Sequence, residues 1–215
     1  MKRRDFSVAT ASALAASAFL SPALAQARKP DEGTDYMALD KRAPVEAAAG
    51  KIEVVEFFWY SCPHCNAFEP KLESWIKSAP KDVVVRRVPV AFRDSFVPEQ
   101  RLFYSLEALG RIDDLHRKVF YAIHVEKLNL NKEEAITAWA EKQGIDKTKF
   151  AELYNSFGVS NKARRAAQLQ DAYKVSGVPA LGVAGRFYTD GQLAQNMDRA
   201  LAVTDYLIAE HRKKP

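Results

Sequence analysis

Between Val54 and Tyr60 the chain is apolar at odd and even positions alike, broken only by Glu56. A run apolar on both faces predicts a strand, residues 51–60, covered by helices on both sides. The period then changes. Phe68, Leu72, Trp75 and Ile76 recur three and four apart, and Pro63 suits a first helical turn, where its missing N–H costs nothing. The spacing predicts a helix over 63–78. Pro70 falls inside it, where its ring meets the carbonyl of Asn66, so a kink is expected. Val83-Val84-Val85, Val88 and Val90 predict a second buried strand, and strand–helix–strand forms a right-handed parallel unit. Tyr36-Met37-Ala38-Leu39, within a leader carrying Pro30 and Pro44, predicts a short edge strand.

From Pro98 the pattern is helical. Segments are expected over 100–109, ended by Gly110, and over 112–125. Another starts at Asn131-Lys132-Glu133-Glu134, spaced like a capping box, and stops before Gly144. Asp146 opens one to about Tyr154, and the last covers 160–174, stopped by Ser176-Gly177. Strand signals resume at Val178-Pro179-Ala180-Leu181-Gly182-Val183 and Arg186-Phe187-Tyr188, a hairpin about Ala184-Gly185. A final helix is expected over 192–211. The order predicts an α/β sheet domain, residues 26–97 and 175–215, with an inserted all-helical domain over 98–174.

The N-terminus changes the picture of charge. Lys2, Arg3 and Arg4 precede an alanine-rich apolar stretch over 8–20, and Ala23-Leu24-Ala25 and Ala25-Gln26-Ala27 are small-x-small sites. This predicts a signal peptide over 1–25, cleaved after Ala25 or Ala27. The stretch is too short for a membrane span. Arg3-Arg4-Asp5-Phe6 matches part of a twin-arginine signal, which leaves the export route open. Removing 1–25 takes three basic side chains and one acidic, so the net charge falls from +5 to +3. That basicity gives no nucleic-acid footprint. Arg86-Arg87, Lys162 with Arg164-Arg165, and the basic residues of 212–214 are expected to be solvated faces.

The chain's two cysteines stand where the central strand gives way to the helix, in Cys62-Pro63-His64-Cys65. Cys62 is expected at the N-cap and Cys65 one turn on. Unpaired N–H groups and the helix dipole stabilise a thiolate there, and His64 adds charge when protonated. A stabilised thiolate favours the dithiol form, so the disulfide of such a pair accepts electrons from another thiol. Cys62 is the expected exchanging sulfur and Cys65 the shielded one. As a static staple the pair closes a loop of only about four residues, roughly 2 kcal/mol of unfolded-state entropy. As a zinc site it lacks a second ligand pair, since His116, His124 and His211 are scattered in sequence.

Cys62-Pro63-His64-Cys65, Val178-Pro179 ahead of a hairpin, and the helical block between them resemble the DsbA family, thioredoxin-fold proteins with an inserted helical domain. The likeness spans essentially the whole chain after the signal segment. It implies a disulfide donor to reduced or unfolded exported proteins in the periplasm, reoxidised by the quinone-linked membrane oxidase DsbB, with no organic cofactor and no metal. It implies a cis peptide before Pro179, in a loop that faces Cys62 and holds extended peptides through Val178 and Pro179. Glu56 matches an acid beneath the cysteines that relays the inner thiol's proton; its other reading is a strand residue reaching solvent. Glu69 matches another acidic family position, and a surface salt bridge accounts for it equally well. Trp59 and Tyr60 form either an apolar rim or core, and so do Phe92 and Phe96. Gly182 stands where relatives carry bulkier residues, which puts the peptide groove's detail in question.

Two rival readings remain. One is a reductase or isomerase; isomerases of this compartment add a dimerisation domain, whereas only a short leader precedes the sheet here, and a monomer is expected. The other is a peptide-binding chaperone whose cysteines are a static staple, indifferent to their replacement.

Overall fold

Alternation along one strand sorts the molecule into layers. The computed structural model describes residues 28–213, so the expected signal peptide and its cleavage sites lie outside the described residues. The central strand is β2 (Ile52–Phe58), buried throughout. Ile52 and Val54 share one apolar cluster with Phe68 and Leu72 of α1 (Pro63–Ser78) and Leu207 of α7 (Met197–Lys213). Val55 and Phe57, on the other face, share a second cluster with helices of the central block. Glu56 has the parity of Ile52 and Val54 and therefore lies under α1.

The sheet order is β1-β5-β4-β2-β3, with β1 (Met37–Ala38), β3 (Val83–Pro89), β4 (Ala180–Val183) and β5 (Phe187–Asp190). β2 and β3 are parallel; the other pairs are antiparallel. Between β3 and β4 run α2 (Val97–Ala108), α3 (Ile112–His124), α4 (Glu133–Lys142), α5 (Lys147–Tyr154) and α6 (Phe157–Ala172). The Val183 carbonyl accepts from the Arg186 N–H at 2.9 Å, and Ala184 and Gly185 both have positive φ, 54° and 67°. That is the hairpin turn whose twist matches the flanking strands.

Several boundaries differ from the sequence pattern, each for a local reason. The helix α6 begins at Phe157 rather than 160 because the Ser156 hydroxyl accepts the Val159 N–H. The expected capping box does not form: α4 is capped at Lys132 with no side-chain bond. The last helix begins at Met197 rather than 192 because Asp190 accepts from the N–H groups of Gln192 and Leu193 and closes a separate turn.

Gly182 has a role other than loosening the groove. A Cβ there would lie 2.3 Å from Cε1 of Tyr173, whose ring packs against β4 and whose hydroxyl accepts the Gly185 N–H at 3.0 Å. The glycine admits Tyr173 on the face of the helical block. Arg86 and Arg87 are corrected too: both are only partly exposed, and Arg87 turns into the interior.

Candidate active site

Cys62 is the N-cap of α1, extended at φ −80° and ψ 117°, with Pro63 opening the first turn. The Asn66 N–H donates to the Cys62 carbonyl at 3.1 Å, closing that turn and bringing Cys65 beneath Cys62. Both are free thiols; Cys65 is fully buried and Cys62 is 7% exposed. A hydrogen bond from Cys65 brings the Cys62 thiol down to about 6; burial opposes this, and the N–H groups of Cys65 and His64 and the charge of His64 reinforce it. Burial, then the bond and charge of Cys62, push Cys65 well above the ordinary thiol range. Two sulfurs three positions apart in one turn thus have opposite acidities.

The Val178–Pro179 peptide is cis, and the Val178 carbonyl accepts from the Cys62 thiol at 3.5 Å. His64 is exposed and, with Val178, Pro179, Gln192 and Met197, lines a groove of about 440 Å³. On the strand side Trp59 stacks on Phe96 with centroids 3.9 Å apart, and Phe92 meets Phe96 edge-on. Trp59 is half-buried beside this aromatic cluster, whereas Tyr60 is fully buried and belongs to the core.

Beneath the cysteines lies a buried charge cluster. Glu56 has no exposed surface, and Arg87 Nε stands 3.2 Å from its Oε2. Arg87 also pairs with Glu69, whose Oε2 lies 3.5 Å from His116 Nε2; His116 Nδ1 in turn meets the Tyr60 hydroxyl at 2.9 Å. Burial, then the charge of Glu69, push Glu56 up to about 8, against the pull of Arg87. Burial also opposes ionisation of Glu69, but His116 and Arg87 outweigh it and hold that carboxyl below its usual range. Burial holds His116 down. The guanidinium keeps its charge throughout, so we take ionised Glu69 with Arg87, and protonated Glu56, as the state at neutral pH. Neither acid is a solvent-facing side chain, which settles the location of Glu56 and Glu69 if not their roles.

Three residues of the helical block meet the turn ahead of Cys62; sequence reasoning weighed His116 and His124 only as zinc ligands and did not reach Glu99. Glu99 of α2 accepts the Ser61 N–H at 2.9 Å and the Ser61 hydroxyl at 2.5 Å. His124 Nε2 lies 2.8 Å from the Tyr60 carbonyl, and His116 holds the Tyr60 hydroxyl. Their separations from the turn, 38, 64 and 56 positions, carry no periodic signal. His116 and His124, eight positions apart on α3, both reach Tyr60.

With this geometry in place, comparison with known proteins decides the family. A model of the DSBA-like thioredoxin domain matches residues 53–202. The chain belongs to the DsbA family. The thiol:disulfide interchange protein DsbA of Bordetella parapertussis is 45% identical over 94% of this chain and 95% of its own length. That of Pseudomonas aeruginosa is 39% identical over 93% and 94%. Among solved structures, Pseudomonas aeruginosa DsbA superposes with a TM-score of 0.79 at 39% identity, covering 84% of this chain and 94% of that one. The oxidoreductase DsbA of Xylella fastidiosa gives 0.80 at 29% identity, covering 86% and 98%. The fold is the thioredoxin fold with a helical insertion, and the chain is a thiol:disulfide oxidoreductase of the dithiol oxidase type. Among the described residues no group of three or more His, Cys, Asp or Glu is placed to hold a metal, and no helix is long and apolar enough to cross a membrane.

Proposed function

We propose that this DsbA-family oxidase donates a Cys62–Cys65 disulfide to reduced, newly exported proteins in the periplasm, acting as a monomer, and is reoxidised by a DsbB-type membrane oxidase. The opposed acidities of the two thiols carry this reading. A substrate thiolate attacks Cys62 Sγ; the Cys62–Cys65 bond breaks and its electron pair leaves on Cys65. Cys65 is buried and holds a thiolate poorly, so it takes a proton. Glu56, protonated at neutral pH and near enough for its charge to act on Cys65, supplies that proton. A second substrate thiolate then attacks the substrate sulfur of the mixed disulfide, and Cys62 leaves as the more stable thiolate. The substrate is oxidised by two electrons and the enzyme is left as the dithiol.

The other parts take supporting roles. Pro63 starts the helix that stabilises the Cys62 thiolate, and His64 adds positive charge beside it. Val178 and the cis Pro179 offer backbone to an extended substrate next to Cys62. Glu69 keeps Arg87 in place under Glu56. We assign 26–97 and 175–215 to the thioredoxin-like domain and 98–174 to the inserted helical domain. The reaction needs no cofactor other than the cysteine pair.

Replacing Cys62 with Ser is expected to abolish oxidation of a dithiol peptide, and retained turnover overturns the mechanism. An equilibrium titration in glutathione buffers, read by Trp59 and Trp75 fluorescence, is expected to give a midpoint far more oxidising than the about −270 mV of a thioredoxin-type reductant. A midpoint at that value would make the protein a reductase on the same fold.

A further inference from the structure

Asn66, two positions after His64 and so on a different side of α1, lines a second groove, of about 300 Å³. Its walls are α1, with Asn66 and Pro70, and α3, with Lys118, Tyr121 and Val125. The two helices run in opposite directions here. His124 Nε2, at the end of α3, lies 2.8 Å from the Tyr60 carbonyl just before the cysteines. Arg117, two turns earlier, pairs with Glu73, two turns past Asn66, at 3.3 Å. Val125 and Tyr121 therefore stand at the end next to the active site, and Lys118 at the far end, about 10 Å away at about 1.5 Å of rise per residue. The Asn66 N–H on the Cys62 carbonyl puts the near end one helical turn from the exchanging cysteine.

The two ends differ in chemistry. Tyr121 and Val125 are 54% and 57% exposed, one turn apart on α3. They form a joined apolar surface beside a cationic rim, unlike the scattered single side chains normal on a protein. The acids around the far end are already engaged. Glu69 is buried with Arg87 and His116, Glu73 holds Arg117, and Asp114, one turn before Lys118, holds Arg111 through both oxygens. Lys118 acts on Asp114 through its charge alone and pairs with no acid among the described residues.

We propose that this groove binds the stretch of a client protein beside its reacting cysteine, on the side away from the cis Pro179 loop. It selects an apolar side chain close to that cysteine and a carboxylate about three residues further out, because an extended chain covers about 10 Å in three residues. Val178 and Pro179 hold a client through its backbone, which carries little sequence preference. The groove between α1 and α3 adds that preference to the same reaction, so the inference rests on the proposed oxidation at Cys62.

The test uses the oxidised protein, glutathione disulfide as reoxidant, and dithiol peptides with Leu beside the reacting cysteine and Glu or Lys about three residues further out. The pair of side chains lies N-terminal to the cysteine in one set and C-terminal in the other. In one of the two sets kcat/KM for the Glu peptide is expected to exceed that for the Lys peptide by about threefold or more, through KM, as an exposed ion pair allows. Lys118→Glu is expected to invert that ratio. Tyr121→Ser is expected to erase the advantage of Leu over Ser beside the cysteine. Moving the acid about eight residues out, beyond the groove, is expected to remove the preference. Equal rates for Glu and Lys in both sets, or a ratio unmoved by Lys118→Glu, would overturn the proposal. So would a preference that persists with the distant acid, the mark of net charge alone. Variants that slow reoxidation by a membrane oxidase while leaving the peptide ratios unmoved would give the groove to that partner and overturn its role for clients. A parent that oxidises no dithiol peptide overturns the activity at Cys62 as well, whereas one that oxidises every peptide alike overturns the groove alone.

Discussion

At the residue scale the site depends on groups held away from their ordinary acidities, and pH exposes each. Glu56 is raised to about 8, so folding binds its proton more tightly than the unfolded chain does. Its contribution is fully present below the unfolded value and is lost as pH rises through about 8. Glu56→Gln is therefore expected to stabilise the oxidised protein at pH 8 and to change little at pH 4; urea midpoints at the two pH values check this. Cys62 has the opposite sign. Its folded value, about 6, lies below the unfolded one, so its stabilisation is present at high pH and is lost as pH falls through 6. Only the reduced protein carries that titration. The melting temperature of the reduced form minus that of the oxidised form is expected to grow from pH 5 to pH 8, and a constant difference would contradict the assignment of the acidic thiol to Cys62. Much of this was legible in the sequence, because Cys62 and Cys65 sit at a strand–helix junction that local pattern reveals. Glu99, His116 and His124 were not, because their partners are reached only through the packing of α2 and α3 against the turn.

At the element scale β2 and α1 follow their hydrophobic pattern closely, whereas β3, expected to be buried, is an edge strand with Val84 exposed and only Val88 and Pro89 fully buried. β2 is apolar at every position but Glu53 and Glu56, and α1 keeps its expected bounds with Pro70 inside. Boundaries moved where a single polar side chain chose between competing turns, as Ser156 did for α6 and Asp190 for α7. Such choices are made by geometry that periodicity does not encode. Gly182 shows the same limit: the sequence marks an irregularity in a strand, and only the structure shows the Tyr173 ring that requires it. Gly182→Ala is expected to destabilise by about 1–3 kcal/mol through overpacking, read as a lower urea midpoint with an unchanged slope. Tyr173→Phe removes the acceptor of the Gly185 N–H and is expected to cost a similar amount, about 1–3 kcal/mol. An unchanged midpoint in either variant would mean the ring does not pack as described.

At the scale of the whole molecule, the sheet and the helical block share one apolar cluster, from Phe57 of β2 through Leu102 and Leu106 of α2 to Ala166 of α6. Polar contacts from the block to Tyr60 and Ser61 run along its edge. The two parts are expected to unfold together. The chain's three tryptophans allow a direct check, since Trp59 and Trp75 lie beside the sheet and Trp139 lies in α4. Single-tryptophan variants reporting from each part should give coincident denaturant curves, and a separated Trp139 transition would show an independently stable block.

The contacts on Cys62 also have a history in time. Val178 stands 116 positions after it in the chain, and Glu99 stands 38 after Ser61. Polypeptides are made from the N-terminus, so both cysteines leave the ribosome well before the carbonyl, the carboxylate and the histidines that surround them in the finished fold. For that interval the distant contacts are missing, and only the local turn from Cys62 to Asn66 can set the pair apart. The cis Val178–Pro179 loop that faces Cys62 is made only with the last strands, so the peptide-facing side of the site is the last part of it to be completed.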